Sequence, residues 1–279
     1  MKNASFPWKD FVRRIAVIAI PVALQNLLTT TGSMVDTMMI GALGDENIVG
    51  AVGLCAQFTS LMFSGYWGFV GGGMLFFAQY WGAKDDDGID RSYGITLSFM
   101  MLVAAVFASL ALFLPEWVMK VYTDKTVLQE IGVRYLRIVG FAYPLQIFSM
   151  AMSCLLRSTE RVRIPFYAAI ASVLTNIFLN WLLIHGNLGF PAMGVEGAAL
   201  ATVISRYVEC AIIVIWTHRH TDKAPFIIGA YRSMRVPAGL VKDIFKRGMP
   251  LLVNEFLWST GMAFLSQCYS TRGLDVVAA

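Results

Sequence analysis

Residues 15–43 read IAVIAIPVALQNLLTTTGSMVDTMMIGAL, and the interpretation of the whole chain starts from this stretch. It is long enough to cross a bilayer, which takes roughly 20 apolar residues in a helix. It nevertheless contains Asp36, and a carboxylate at membrane depth is costly and usually marks an ion or substrate pathway. Gln25 and Asn26 add polar side chains about three helical turns earlier. The stretch therefore predicts a membrane helix that does more than anchor the protein.

The composition extends this prediction to the whole chain. Of the 279 residues, 57% are hydrophobic and only 14% are charged, whereas soluble domains average about 25% charged residues. Further apolar stretches lie at about 49–80, 92–114, 131–154, 165–184, 197–216 and 249–269. The sequence therefore predicts an all-α polytopic membrane protein with seven spans, embedded in the lipid bilayer of the cell (plasma or inner) membrane.

The distribution of lysine and arginine predicts the orientation. Sixteen of the 22 basic residues lie on the side of the N-terminus, five lie on the opposite side, and Arg206 lies within the sixth stretch. Because basic residues accumulate on the cytoplasmic side, the N-terminus is predicted to be cytoplasmic. This topology accounts for the net charge of +4, so no nucleic-acid partner is predicted. The sequence contains no nucleotide-binding, zinc-binding or nucleophile motif. We therefore expect that the protein is not an enzyme and needs no cofactor.

The seventh stretch resembles the first. A shift of 229 residues aligns Pro21 with Pro250, and an adjacent polar pair and a Thr-Gly pair also agree. An even number of spans separates the copies, and such parallel repeats are a transporter architecture. We therefore expect a six-helix N-terminal lobe at 1–217, a cytoplasmic linker with an amphipathic helix at 218–247, and the beginning of a second lobe at 248–279. The missing C-terminal lobe is expected in the same full-length chain.

Five strings of residues carry a family resemblance. They are Pro21 with 25–26 (QN), 35–41 (VDTMMIG), 78–84 (AQYWGAK), 176–184 (NIFLNWLLI) and 194–202 (GVEGAALAT). In this order and at these spacings, the chain resembles the multidrug and toxic compound extrusion (MATE) transporters. The resemblance implies two six-helix lobes. It also implies a secondary antiporter that exports organic, often cationic small molecules, such as drugs and toxins, in exchange for inward H⁺ or Na⁺.

The resemblance also implies a cation-coupling site at Asp36, Asn176, Asn180 and Thr202. The two asparagines are four residues apart and therefore share a helix face, where they either ligate Na⁺ together with Asp36 or hydrogen-bond between helices. Some family members carry aspartate where this chain has Asn180, so both H⁺ and Na⁺ remain open as the coupling ion.

Four further polar residues are candidates for a substrate or cation pathway: Gln25, Asn26, Gln57 and Glu255. Glu255 lies about one turn from the position where some family members carry a glutamate in the seventh helix. Arg206 and Glu209 are three residues apart, which favours an ion pair between them.

Two alternatives remain open from the sequence. One is a flippase or exporter of lipid-linked or other amphiphilic cargo. The absence of Lys and Arg from the loops after the first and fifth spans argues against it, because anionic headgroups require such residues. The other is a non-transporting truncated half-protein. The length of the native chain beyond Ala279 discriminates the second alternative from a transporter.

Overall fold

The computed structural model describes residues 8–221 and nine single positions between 239 and 261. Residues 8–221 form helices and no strand. These are α1 (Trp8–Gly41), α2 (Glu46–Ala83), α3 (Asp86–Phe113), α4 (Pro115–Tyr122), α5 (Thr126–Val139), α6 (Ala142–Ser158), α7 (Arg163–His185), a 3-10 turn (Asn187–Gly189) and α8 (Val195–Arg219).

Helices α1, α2, α3, α7 and α8 are each long and apolar enough to cross a membrane, and α5 and α6 together form a sixth, bent span. They correspond to the first six predicted stretches, so the all-α polytopic membrane fold is confirmed. The division into a lobe, a linker and a second lobe stays a prediction. Apart from 218–221 and the nine single positions, the linker and the seventh stretch lie outside the described residues, and so does Glu255.

The fourth predicted span, at 131–154, is interrupted in the structure. Helix α5 ends at Val139, α6 begins at Ala142, and the two axes differ by 51°. Pro144 explains the break, because a proline has no N–H to donate to the carbonyl four residues earlier and its ring clashes with that carbonyl. The residue four positions earlier is Gly140, which lies at the bend. The fourth predicted stretch therefore corresponds to a bent pair of helices.

The core of the lobe lies between α2, α3, α5 and α6. Phe58 on α2 packs against Phe107 on α3, with ring centroids 5.1 Å apart, and against Tyr143 on α6 at 6.3 Å. The Tyr143 hydroxyl is 3.1 Å from the hydroxyl of Thr59. This pairing satisfies a buried polar group that would otherwise be costly. These contacts join three spans around one interior.

Helix α1 lies at the edge of this lobe. It packs mainly against α7, which in turn packs against α8. α1 continues through Pro21 as one helix, and a row of its apolar side chains is exposed: Ile20, Leu24, Leu27, Met34 and Met38. The exposed face of α1 is apolar. Its polar residues therefore enter the lobe on the face that contacts α7.

Candidate cation site

Small residues allow the helices that carry the predicted site to approach closely. A Cβ atom on Gly32 would lie 3.1 Å from the methyl groups of Val173, so α1 and α7 nearly touch one turn before Asp36. A Cβ atom on Gly197 would lie 2.7 Å from the carbonyl oxygen of Leu183, which holds α8 against α7. The contact at Gly197 leaves no room for a side chain, the contact at Gly32 leaves little, and the two bring α1, α7 and α8 together around one polar cluster.

Asn180 is the centre of this cluster. Its Nδ2 donates to Oδ1 of Asp36 at 2.6 Å and to Oδ1 of Asn176 at 3.2 Å. The side chain of Asn180 is fully buried, whereas Asp36 and Asn176 are partly exposed. Hydrogen bonds to an ionised acceptor are stronger than neutral ones. The amide therefore ties the carboxylate on α1 to α7.

The carbonyl oxygen of the same side-chain amide accepts no hydrogen bond from the described residues. Within the described part of the chain, Oδ1 of Asn180 is buried and has no hydrogen-bond partner. A buried carbonyl oxygen in this condition costs about 1–3 kcal/mol. With the carboxylate of Asp36 and Oδ1 of Asn176, it supplies hard oxygen atoms, which are the ligand type that suits Na⁺. The residues present therefore fit either a proton on Asp36 or a small cation beside it.

Thr202 and Tyr135 lie next to this cluster. The Thr202 hydroxyl donates to the carbonyl of Ala198 at 3.0 Å, which leaves its oxygen free to accept a second bond. Tyr135 on α5 is buried, and its hydroxyl lies near the Thr202 side chain. Four helices therefore contribute to the site. Tyr135 was not predicted as a site residue. The signal that could have found it is its hydroxyl, because the other buried residues of α5 are apolar: Ile131, Gly132, Leu136 and Val139.

The candidate pathway residues are not gathered at this site. Gln25 is buried, with 7% of its surface exposed, and lies 11 residues before Asp36, or about 16 Å along α1. Its Oε1 has no partner among the described residues. Asn26 and Gln57 are exposed. A pathway role for these three residues, and for Glu255, stays a prediction.

Arg206 and Glu209 form the predicted ion pair. Nη1 of Arg206 is 2.8 Å from Oε2 of Glu209, and 28% and 13% of the two side chains are exposed. Arg206 follows Thr202 by four residues, so it lies one turn further along the same face of α8. A positive charge that is paired and partly buried therefore lies on α8 inside the lobe.

The family model MatE matches residues 21–182, which include the cluster on α1 and α7. This chain belongs to the MATE family. The match covers more than half of the chain, so the family resemblance drawn from the sequence motifs is confirmed. The family and the six apolar spans of the lobe together establish a multi-pass membrane protein.

Two curated relatives of the family have similar sequences. The chain is 28% identical over 268 residues to the probable multidrug resistance protein YoeA of Bacillus subtilis (strain 168), covering 96% of this chain and 58% of the relative. It is 24% identical over 286 residues to the probable multidrug resistance protein NorM of Neisseria meningitidis serogroup B, covering 100% of this chain and 61% of the relative. The chain therefore spans about three fifths of the length of these relatives.

Solved structures show the same fold. A MOP superfamily transporter from Pyrococcus furiosus superposes with a TM-score of 0.81 at 22% identity, over 95% of this chain and 57% of that chain. A MATE crystal structure in a bent conformation gives a TM-score of 0.81 at 22% identity, over 95% of this chain and 58% of that one. These similarities confirm the MATE-like helical architecture of the lobe.

Proposed function

We propose that this chain forms the first lobe of a secondary multidrug efflux antiporter. Such a transporter would export organic, often cationic compounds in exchange for inward H⁺ or Na⁺. The observation that carries the proposal is the 2.6 Å contact between Asn180 and Asp36 inside a membrane-spanning lobe. The names of the relatives, both probable multidrug resistance proteins, support export of drug-like compounds.

The charge of Asp36 is the basis of the coupling. An ionised carboxylate at membrane depth is costly unless it is paired, and binding one H⁺ or one Na⁺ there removes the net negative charge. The loaded and empty lobes therefore differ in electrostatic free energy and favour different packings of α1 against α7. If the exported compound favours the packing that the cation disfavours, the two ligands shift the populations in opposite directions. Because each ligand favours the state that the other disfavours, the transporter exchanges the cation for the exported compound.

The proposed test compares the same substitution, aspartate to asparagine, at two positions of α1. Asp36→Asn in the complete protein removes the charge but keeps an oxygen that can accept from Asn180. We expect it to abolish export of ethidium from everted membrane vesicles, with unchanged membrane insertion. Asp10→Asn is the matched control, because Asp10 is exposed at the opposite end of the same helix. Export by Asp36→Asn at the wild-type rate would disprove the proposed role of Asp36.

The coupling ion is tested with the same vesicles. A pH gradient imposed without Na⁺ and a Na⁺ gradient imposed at constant pH separate the two ions. The oxygen-rich surroundings of Asp36 accept either ion, so the gradient that drives export identifies the ion that this protein uses. If neither gradient drives export, the antiporter proposal is wrong.

We propose that the protein lies in the plasma membrane and that its N-terminus is in the cytoplasm. The support is the excess of Lys and Arg on the N-terminal side of the spans. A membrane-impermeant thiol reagent tests this with single cysteines introduced at Asp10 and at Asn47. We expect labelling from outside intact cells at Asn47 and none at Asp10, and the reverse pattern would overturn the orientation.

A further inference from the structure

The short helix α4 has one buried and one exposed apolar face. It begins at Pro115, where the missing N–H of proline costs no hydrogen bond because the first turn of a helix offers no acceptor for it. Val118 and Met119 are buried, whereas Trp117 and Val121 have 59% and 65% of their surface exposed. Trp117 and Val121 are four residues apart and therefore share a face. The described part of the lobe thus leaves one apolar face of α4 uncovered.

The buried face holds α4 against α5. Met119 occupies the space beside Gly132 on α5, since a Cβ atom on that glycine would lie 2.6 Å from the Met119 sulfur. The same sulfur is 3.9 Å from the sulfur of Cys55 on α2. Glu116 at the start of α4 pairs with Arg137 near the end of α5 at 3.4 Å. The two helices therefore form an antiparallel hairpin, and the uncovered face of α4 is directed away from α5.

The uncovered face continues a row of exposed apolar side chains on α3. Leu102, Val106 and Phe113 are exposed, and the spacings of 4 and 11 residues from Leu102 place them on one side of the helix. Leu114, which is also exposed, connects this row to Trp117. Helix α3 is long and apolar enough to span a membrane, and it packs against α2, α5 and α6, whereas the polar cluster lies on α1 and α7. The row therefore belongs to a different part of the lobe surface from the cation site.

The residues of α4 suit the boundary between lipid and water. The three spans α1, α2 and α3 precede it, so α4 lies at the membrane face opposite the N-terminus. Tryptophan is enriched at this depth because its ring is apolar and its N–H is polar. Glu116 and Lys120 are exposed and are also four residues apart, so they form a charged face beside the apolar one. Apolar and charged side chains on separate faces are typical of a helix at a membrane surface.

We propose that the uncovered face of α4, formed by Leu114, Trp117 and Val121, binds phospholipid in the membrane leaflet opposite the N-terminus. The acyl chains contact these three side chains, and Glu116 and Lys120 remain in water. Lipid is the favoured occupant because the face is continuous with the apolar row on a membrane-spanning helix. The proposal concerns how the lobe sits in the membrane and does not depend on antiport.

The lipid contact gives α4 a role in positioning α5. Met119 joins the two helices at Gly132, and three residues later α5 carries Tyr135, whose hydroxyl lies near Thr202. Helix α5 then ends at the bend before α6. Anchoring α4 at the membrane surface therefore holds the first half of the bent span at a fixed depth.

The first test measures the depth of Trp117 by fluorescence quenching. The complete protein and its Trp117→Phe variant are placed in liposomes of phosphatidylcholine brominated either near the headgroup or at the end of the acyl chain. The chain has seven tryptophans, so the emission lost in Trp117→Phe is assigned to Trp117. We expect bromine near the headgroup to quench most of that emission and bromine at the chain end to quench less of it. Emission of Trp117 that neither lipid quenches would overturn the proposal.

The second test compares the two exposed faces of α4 with nitroxide labels. Trp117→Cys and Val121→Cys report the apolar face, and Glu116→Cys and Lys120→Cys are the matched controls on the charged face. Each is made in a protein whose four native cysteines are replaced by alanine. Oxygen concentrates in lipid, whereas a nickel chelate stays in water. We expect labels at 117 and 121 to collide more with oxygen, and labels at 116 and 120 to collide more with nickel.

The outcomes of the labelling separate lipid from the other possible occupants. Equal access of nickel to positions 117 and 120 would place both faces in water and overturn the proposal. Protection of 117 and 121 from both reagents would show that protein covers the face, either the second lobe or a second copy of the chain, and would also overturn it. Size-exclusion chromatography checks the fold of each variant, and the quenching test retains the native cysteines. Neither readout requires export, so failure of the proposed function leaves this test intact.

Discussion

The contact between Gly197 and Leu183 provides a test of how the lobe is assembled. A Cβ atom at position 197 would lie 2.7 Å from the Leu183 carbonyl oxygen and 2.8 Å from its carbon. An ordinary contact is at least 3.4 Å, so Gly197→Ala requires α7 and α8 to separate by about 0.7 Å. The same oxygen already accepts from the N–H of Met193 at 2.9 Å. The backbone on both sides therefore has little freedom to yield.

Overpacking of this kind typically costs about 1–3 kcal/mol. We expect Gly197→Ala to lower the temperature at which the purified protein loses its monodisperse size-exclusion peak. It should also reduce export, because Thr202 lies five residues further along the displaced helix. Gly53→Ala is the control, since a methyl group added there would meet none of the described residues within 4 Å and alanine is the better helix former by about 0.5–1 kcal/mol.

The two glycine variants should therefore shift stability in opposite directions. Gly53→Ala should match or exceed the wild type, and Gly197→Ala should fall below it. A Gly197→Ala protein with wild-type thermal stability and wild-type export would refute the argument that α7 and α8 meet at this backbone contact.

Three further substitutions test the site and its surroundings. Asn180→Ala removes a charge-assisted hydrogen bond worth about 1.5–3 kcal/mol, so we expect export to fall about tenfold or more, and undiminished export in vesicles would contradict this. Tyr135→Phe removes only the hydroxyl near Thr202, and we expect a rise of about two- to tenfold in the driving-cation concentration for half-maximal export, with unchanged thermal stability. Glu196→Gln breaks an exposed pair with Arg134 at 3.5 Å. Such pairs contribute about 0–1 kcal/mol, so a large loss of thermal stability would show that this pair has another role.

The spans were predictable because an apolar run of bilayer length has one stable form in lipid, a helix whose backbone bonds are all internal. The polar positions Asp36, Asn176 and Asn180 were also predictable, since polar groups inside such runs are rare. The contact between Asp36 and Asn180 joins residues 144 positions apart. The sequence motifs predicted that these residues share a site, but not which atoms bond.

Tyr135 and the bend at Gly140 illustrate what pattern reasoning missed. A tyrosine in an apolar helix packs, faces lipid or donates a hydrogen bond, and only its neighbours decide which. The bend depends on Pro144, whose effect in a membrane helix varies with whether neighbouring groups compensate for the lost hydrogen bond. Pro21 lies inside α1 without ending it, whereas the helix before Pro144 ends. The same residue type therefore had two outcomes.

The amino-acid sequence by itself determined the helical membrane fold, the family and the helix positions that carry the polar residues. These follow from local rules, because chain length in lipid and side-chain polarity act residue by residue. The tertiary structure alone decided that Asn180 donates to Asp36 and that Tyr135 joins the site. Those relations depend on how closely α1, α7 and α8 approach, and the glycine contacts of Gly32 and Gly197 set that distance in three dimensions.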